Sequence, residues 1–217
     1  MKDATEAMES VYCRSGNKMI TTSGGGALVC KTEEDRKTTM FYATQARENF
    51  PYYQHEKFGY NYRMSNICAG IGRGQMTILE EHVAHHRHVN ALYQAAFAGV
   101  DGITVQTAPS ADFDSNFWLS TILIDKVKTG VDYNDIMAAL AKVNVETIPL
   151  WKPLHLQPVF AECPSYVNGV SERLFEQGLC LPSGPCVTDE DVAFIVEEVL
   201  RVIGIQIERI ERKRGGE

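Results

Sequence analysis

From Ser65 to Phe97 the apolar residues fall on one stripe: Ile67, Ile71, Ile78, Leu79, Val89, Leu92, Tyr93, Ala96 and Phe97 recur at three- and four-residue steps, and Gly99 lies just past the end. Residues three and four apart share a helical face, so this spacing predicts the longest helix of the chain. A helix with one apolar stripe needs a second layer to cover it. Gly70, Gly72 and Gly74 superficially have the look of a phosphate loop, but they lie inside the helical pattern rather than between a strand and a helix. Small residues for close helix packing are the better account. His82 and His86 stand four apart, the spacing by which two imidazoles on one face can share a metal. Val83 follows His82 where a zinc-protease pattern needs glutamate, and no third ligand is placed, so packing accounts for both and no metal is expected.

The covering layer is legible downstream. Ile103 to Thr107, Phe117 to Ile124, Glu146 to Leu150 and Leu179 to Pro182 read as strands. Helices are predicted over Asp132 to Val143, near Ser171 to Gln177, and after a cap at Thr188 with Glu190 and Asp191 in the first turn. The order strand, strand, helix, strand, helix, strand, helix implies an α+β sandwich of helices on a small sheet. Between the third strand and the next helix runs a loop, Trp151 to Phe160, bearing Pro153, His155 and Pro158.

Composition excludes several classes. A net charge of -7 leaves no electrostatic footprint for nucleic acid or an anionic membrane. The basic run from Arg209 to Arg214 is interrupted by Glu211 and reads as a solvated end. No apolar run approaches a membrane span and no signal-peptide core is evident, so a cytoplasmic protein is expected. The six cysteines form no C-x-x-C pair and are expected to be reduced packing residues. None of them sits in a nucleophile context beside a histidine.

The N-terminal part is less regular. Residues 3 to 11 have helix-forming composition. Met19 to Thr22 and Ala27 to Cys30 read as the two strands of a β-hairpin, with Ser23, Gly24, Gly25 and Gly26 as its turn and Lys18 at its entrance. A lysine there can be a surface salt-bridge partner or an amine held for Schiff-base chemistry, and composition alone favours the first. Residues 33 to 47 form a helix candidate with Thr32 as N-cap, and Asn49 to Tyr62 is irregular and rich in tyrosine.

Four separated motifs give Lys18 a joint meaning. They are Ser15 to Gly26; Gly59-Tyr60-Asn61-Tyr62-Arg63-Met64-Ser65-Asn66; Trp151 to Pro158; and Ser171 to Phe175 with Gly178 to Gly184. Together, in this order, the chain resembles the DegT/DnrJ/EryC1/StrS pyridoxal-phosphate aminotransferases, which act on nucleotide-linked keto sugars. The resemblance covers nearly the entire chain. It implies an α/β fold, the C-terminal portion of a fold type I pyridoxal-phosphate transferase: a β-hairpin and long helix followed by a small α+β sandwich domain. Residues 1–100 would then be a remnant of the cofactor-binding large domain and residues 101–217 the small domain.

The same resemblance implies roles. Lys18 matches the lysine that joins the pyridoxal 5'-phosphate cofactor as a Schiff base and carries the substrate proton. Asp3 matches the acid that pairs with the pyridine nitrogen. Asn61 corresponds to an asparagine that reaches the cofactor phosphate across a dimer interface, which implies a homodimer, with Arg63 facing the substrate side. His155 lies in the loop that approaches the sugar nucleotide, the alternative being a histidine hydrogen-bonded in a proline-rich loop. The implied reaction is ping-pong, with glutamate as amino donor and a 4-keto-6-deoxy nucleotide sugar as acceptor, in cell-surface polysaccharide or glycan biosynthesis. Relatives carry an N-terminal half that is unmatched here, so the competing expectation is a catalytically silent member that keeps only the dimerising lobe. Ile148 stands where many relatives have arginine before the proline.

Overall fold

The computed structural model describes residues 10–13 and 18–204, which divide after Glu80 into two compact units. In the first unit β1 (Ser10–Cys13) pairs antiparallel with β2 (Gly26–Val29), with Ser10 opposite Val29 and Cys13 opposite Gly26. The expected pairing partner of the glycine-side strand is thereby corrected: it is Ser10–Cys13, and Met19 to Thr22 is not a strand. Ser10 and Val11, placed at the end of a helix by composition, begin β1, and the rest of that expected helix lies outside the described residues.

The reason Met19 to Thr22 does not pair is local competition for its backbone groups. The Thr21 N–H donates to Gln75 Oε1 at 3.1 Å, the Ser23 N–H donates to Thr21 Oγ1 at 2.9 Å, and the Thr22 hydroxyl donates to the Gly24 carbonyl at 2.6 Å. Side-chain partners of this kind offer the backbone an alternative to a ladder. Ser23 adopts φ 67, and Gly25 follows at φ +103 against the Met64 side chain, where a β-carbon would come within 2.7 Å of Met64 Cε.

Helix α1 (Glu33–Ala43) starts at the expected N-cap, where Thr32 Oγ1 accepts from the Asp35 N–H at 3.1 Å. It stops short of Arg47 because Gln45 (φ 69) and Ala46 (φ 49) are both left-handed. The chain from Phe58 to Tyr62 folds back over this helix end and uses its orphan carbonyls. The Tyr60 N–H donates to Tyr42 O and the Tyr62 N–H to Ala43 O, both at 3.0 Å, while Gln45 N–H donates to Tyr60 O at 3.1 Å. Thr44 and Asn61 form an isolated bridge, and Ala46 beneath it is fully buried.

The single long helix expected from Ser65 is two helices. Helix α2 (Asn66–Met76) is capped by Ser65, whose Oγ accepts from the Cys68 N–H at 3.2 Å, and α3 (Leu79–Ala96) follows after Thr77 and Ile78. At the break both N–H groups take the shorter three-residue bond, to Gly74 O and Gln75 O, and the Thr77 hydroxyl also donates to Gly74 O. Three glycines have already weakened the helix there. Gly72 is buried, whereas a β-carbon on Gly70 or Gly74 would meet nothing within 4 Å, so close packing does not explain those two.

The second unit holds the apolar core. β3 (Ile103–Val105), β4 (Ser120–Ile124), β6 (Gly178–Leu181) and β5 (Ile148–Pro149) form an antiparallel sheet in that order. β5 sits at an edge, where Pro149, which has no N–H, is tolerated. The helices are α4 (Lys126–Thr129), α5 (Tyr133–Lys142), α6 (Val170–Gln177) and α7 (Asp189–Val202). Ile122, Ile124, Leu179 and Leu181 of the sheet pack in one cluster with Val89 and Tyr93 of α3, Ile136 and Leu140 of α5, and Val192, Ile195, Val196, Val199 and Leu200 of α7. Capping boxes start both long downstream helices, Asp132 with Asp135 and Thr188 with Asp191. No described helix is long and apolar enough to cross a membrane.

Among the described buried side chains, His86 and Thr147, through its Oγ1, are left without a hydrogen-bond partner, while others are matched. Asn90 Nδ2 donates to Ser120 Oγ, the Ser120 N–H donates to Ser183 Oγ, and the Ser183 hydroxyl donates to Leu181 O. His86 is 2% exposed and neither of its ring nitrogens has a hydrogen-bond partner. Burial pushes its pKa down, His85 and His82 add to this, and the nearby Phe117 backbone opposes it without reaching hydrogen-bond geometry. A histidine whose folded pKa lies below its unfolded value takes up its proton more readily when unfolded, so its contribution is present at neutral pH and is lost as pH falls below about 6.5. Melting curves are therefore expected to shift downward on acidification, with a smaller shift for His86→Phe; equal shifts in the two proteins would contradict this.

Among the described cysteines only Cys180 is buried; Cys163 and Cys186 are exposed, which corrects the expectation that most serve packing.

Candidate active site

Lys18 is half-buried at the head of the turn that leads to Gly25. The turn is held in place by the Thr21 to Gln75 hydrogen bond and by Thr22, 1% exposed, so the lysine stands on a structured loop. Asn61 is exposed, and its backbone is fixed at the C-terminus of α1 by the bridge to Thr44. Tyr60 and Tyr62 stack with ring centroids 5.3 Å apart, so the alternation of an extended segment directs Asn61 to the opposite side. Arg63 follows, exposed, two residues before the Ser65 cap. These three residues belong to the first unit. Asp3 lies outside the described residues.

His155 belongs to the second unit, in a 3-10 turn, Leu154–Leu156. Its Nε2 lies 2.7 Å from Glu172 Oε1, and the two side chains are only 17% and 24% exposed. Glu172 sits in the first turn of α6, a favourable place for a carboxylate. Its own backbone amide holds the carboxyl below the usual carboxylate range, partial burial opposes this, and His155 and the Ser171 hydroxyl add to the lowering. Reading the sequence assigned Glu172 no role. Its spacing of 17 residues from His155 follows no periodic rule, and the signal available was only an acidic residue opening a helix inside a quoted motif.

The histidines of α3 are dispersed: His88 Nε2 lies 2.8 Å from Asp189 Oδ1, His85 Nε2 lies 3.2 Å from Gly184 O, and His86 is buried. Among the described residues no group of three or more potential ligands converges on a metal position.

The donor set of the first unit fits a cofactor with an aldehyde and a phosphate. A primary amine on an ordered turn is the partner for an aldehyde, while an exposed side-chain amide can donate to phosphate oxygens.

Comparison with known proteins defines the class and then the family. In fold the chain matches the crystal structure of the aminotransferase TlmJ from Streptoalloteichus hindustanus with a TM-score of 0.79 at 24% identity, covering 89% of this chain and 51% of that one. The chain thus shares the mixed helix-and-sheet fold of about half of that protein. In sequence it is 40% identical over 196 residues to EpsN of Bacillus subtilis (strain 168), provisionally described as a pyridoxal phosphate-dependent aminotransferase, covering 88% of this chain and 50% of EpsN. It is 28% identical to the GDP-perosamine synthase of Escherichia coli O157:H7, again over 88% of this chain and 50% of the relative. The chain belongs to the DegT/DnrJ/EryC1/StrS aminotransferase family, whose model matches residues 7–200. It spans about half the length of the curated relatives it matches.

Proposed function

We propose that the protein carries out amino transfer to a nucleotide-linked keto sugar, with pyridoxal 5'-phosphate as cofactor and glutamate as amino donor, in cytoplasmic assembly of a cell-surface glycan. The reading rests above all on Lys18, a half-buried amine on an ordered glycine-bearing turn, in a chain 40% identical to a relative described as using this cofactor. The sugar-nucleotide substrate is supported by the likeness to GDP-perosamine synthase. Residues 1–100 would supply the cofactor-binding part and residues 101–217 the small domain.

The cofactor, when bound, supplies an electron sink for the carbon that gains or loses the amino group. Lys18 Nζ would hold the cofactor at its carbonyl carbon and would carry a proton to or from the substrate carbon. Asp3 would keep a proton on the pyridine nitrogen. Asn61 would donate to the phosphate of the site in a second copy, which requires a homodimer, and Arg63 and His155 would orient the sugar nucleotide.

The test is to incubate the protein with pyridoxal phosphate, look for a visible absorption band, trap the adduct with borohydride and map the labelled peptide. The expected result is one label on Lys18, and none in Lys18→Ala. Without a Lys18-dependent band the catalytic reading falls, and the chain is instead a silent, dimerising member of the family.

A further inference from the structure

The segment from Trp151 to Gly169 bonds mainly to itself. Leu156, Gln157, Phe160, Ala161 and Cys163 donate their N–H groups to carbonyls three residues back, and Gln157 Nε2 donates to Lys152 O. From Ala161 to Gly169 every residue is exposed, Tyr166 at 98%. The His155 to Glu172 contact, by contrast, reaches out of the segment to α6 and is sheltered from water.

We infer that Glu172 is a positioning residue: it fixes the tautomer and orientation of His155, so that Nδ1 is the nitrogen left to meet the hydroxyl of a bound sugar. This rests on the reading of His155 as substrate-facing. A carboxylate can only accept, so the neutral imidazole must carry its proton on Nε2 where it meets Glu172 Oε1. Nδ1 then offers a lone pair, which suits a hydroxyl donor and not a fully ionised phosphate oxygen. Glu172 is itself kept ionised, because its own amide, the His155 ring and the Ser171 hydroxyl all favour the charged form. The contact also fixes the ring with a sheltered charge-assisted bond, and holding a ring in one pose lowers the ordering cost of recognition.

The experiment uses the full chain with nitrogen-labelled histidine. His155 is assigned by its loss in His155→Ala, and the wild type is compared with Glu172→Gln, whose amide oxygen still accepts, and Glu172→Leu, which cannot. The expected spectrum shows the Nε2–H tautomer in the wild type and in Glu172→Gln, and a mixture of tautomers in Glu172→Leu. A wild-type Nδ1–H form, or an unchanged ring in a folded Glu172→Leu, overturns the role of Glu172. Calorimetry with GDP-mannose and with GDP as probes then tests the ligand side. Glu172→Leu should bind GDP-mannose about 2- to 12-fold more weakly, from the size of the neutral hydrogen bond between Nδ1 and the sugar hydroxyl, and GDP unchanged. If the tautomer moves while His155→Ala and Glu172→Leu bind GDP-mannose as the wild type does, the substrate-facing reading of His155 falls and Glu172 stands as its positioning residue. If GDP binding weakens equally, Nδ1 serves the diphosphate and the hydroxyl assignment is overturned.

Discussion

Tyr93→Ala is expected to lower the stability of the second unit by about 3–5 kcal/mol, read as a shifted denaturant midpoint. The ring is fully buried on the inner face of α3 and stacks on Phe97 with centroids 6.4 Å apart and planes 9° from parallel. Removing it opens a cavity that touches both sheet and helices, because the same cluster contains β4, β6, α5 and α7. Against a typical domain stability of about 5–15 kcal/mol, that loss takes much of what holds the unit.

The hydroxyl contributes separately. It donates to the Pro182 carbonyl at 2.9 Å, next to the Ser183 that ties β4 to the chain beyond β6. Burial, reinforced by the Asp191 carboxylate, pushes its ionisation well above the ordinary phenol range, so it stays a donor through all ordinary pH. Tyr93→Phe keeps the volume and leaves that carbonyl unpaired, for an expected loss of about 1–3 kcal/mol. If Tyr93→Ala costs no more than Tyr93→Phe, the ring is not filling the core in the way described.

What the sequence made legible follows from the range over which each signal acts. Caps depend on one side chain and an amide three residues on, so Thr32 and Thr188 could be read directly and both are in place, while Ser65 and Asp132, expected as the first residues of helical stretches, are the caps of α2 and α5. The four strands of the sheet and the helices α5, α6 and α7 were legible from local periodicity, with shifted ends, whereas the short α4, the strand order and the antiparallel pairing were not. The pairing of β2 could not be read that way. Met19 to Thr22 has the composition of a strand, but its amides are taken by Gln75, 54 residues distant, and by neighbouring hydroxyls. The helix break at Thr77 was equally hidden, since the apolar stripe continues across it. His155 and Glu172 show the same limit at the site: motif resemblance singled out the histidine, while its partner is set by tertiary geometry alone. Lys18, Asn61 and Arg63 were singled out by resemblance, and the structure adds how the backbone around them is held.

Gly59→Ala is expected to release the segment that carries Asn61. A β-carbon at residue 59 would lie 2.4 Å from Ala46 N, 2.6 Å from Gln45 C and 2.8 Å from Tyr42 O. All three are backbone atoms, so no side-chain rotation relieves the overlap and the chain itself must move. The bonds at risk are the three that lash residues 58–62 to the end of α1, from Tyr60, Tyr62 and Gln45, together with the Thr44 bridge to Asn61. At about 1 kcal/mol net for each hydrogen bond, roughly 3 kcal/mol of local stability is lost. Hydrogen exchange reads this directly: the amides of Gln45, Tyr60 and Tyr62 should lose on the order of 100-fold in protection, from the same free energy, with the amides of β4 as internal reference. Gly70→Ala is the control, because its β-carbon meets nothing within 4 Å and alanine favours a helix by up to about 1 kcal/mol. Unchanged protection at Tyr60 and Tyr62 in a folded Gly59→Ala protein would show that the close approach at residue 59 does not hold Asn61 in place. Loss of protection together with weaker retention of pyridoxal phosphate would connect that approach to the site, since the only side chain altered has no polar atom with which to bind the cofactor.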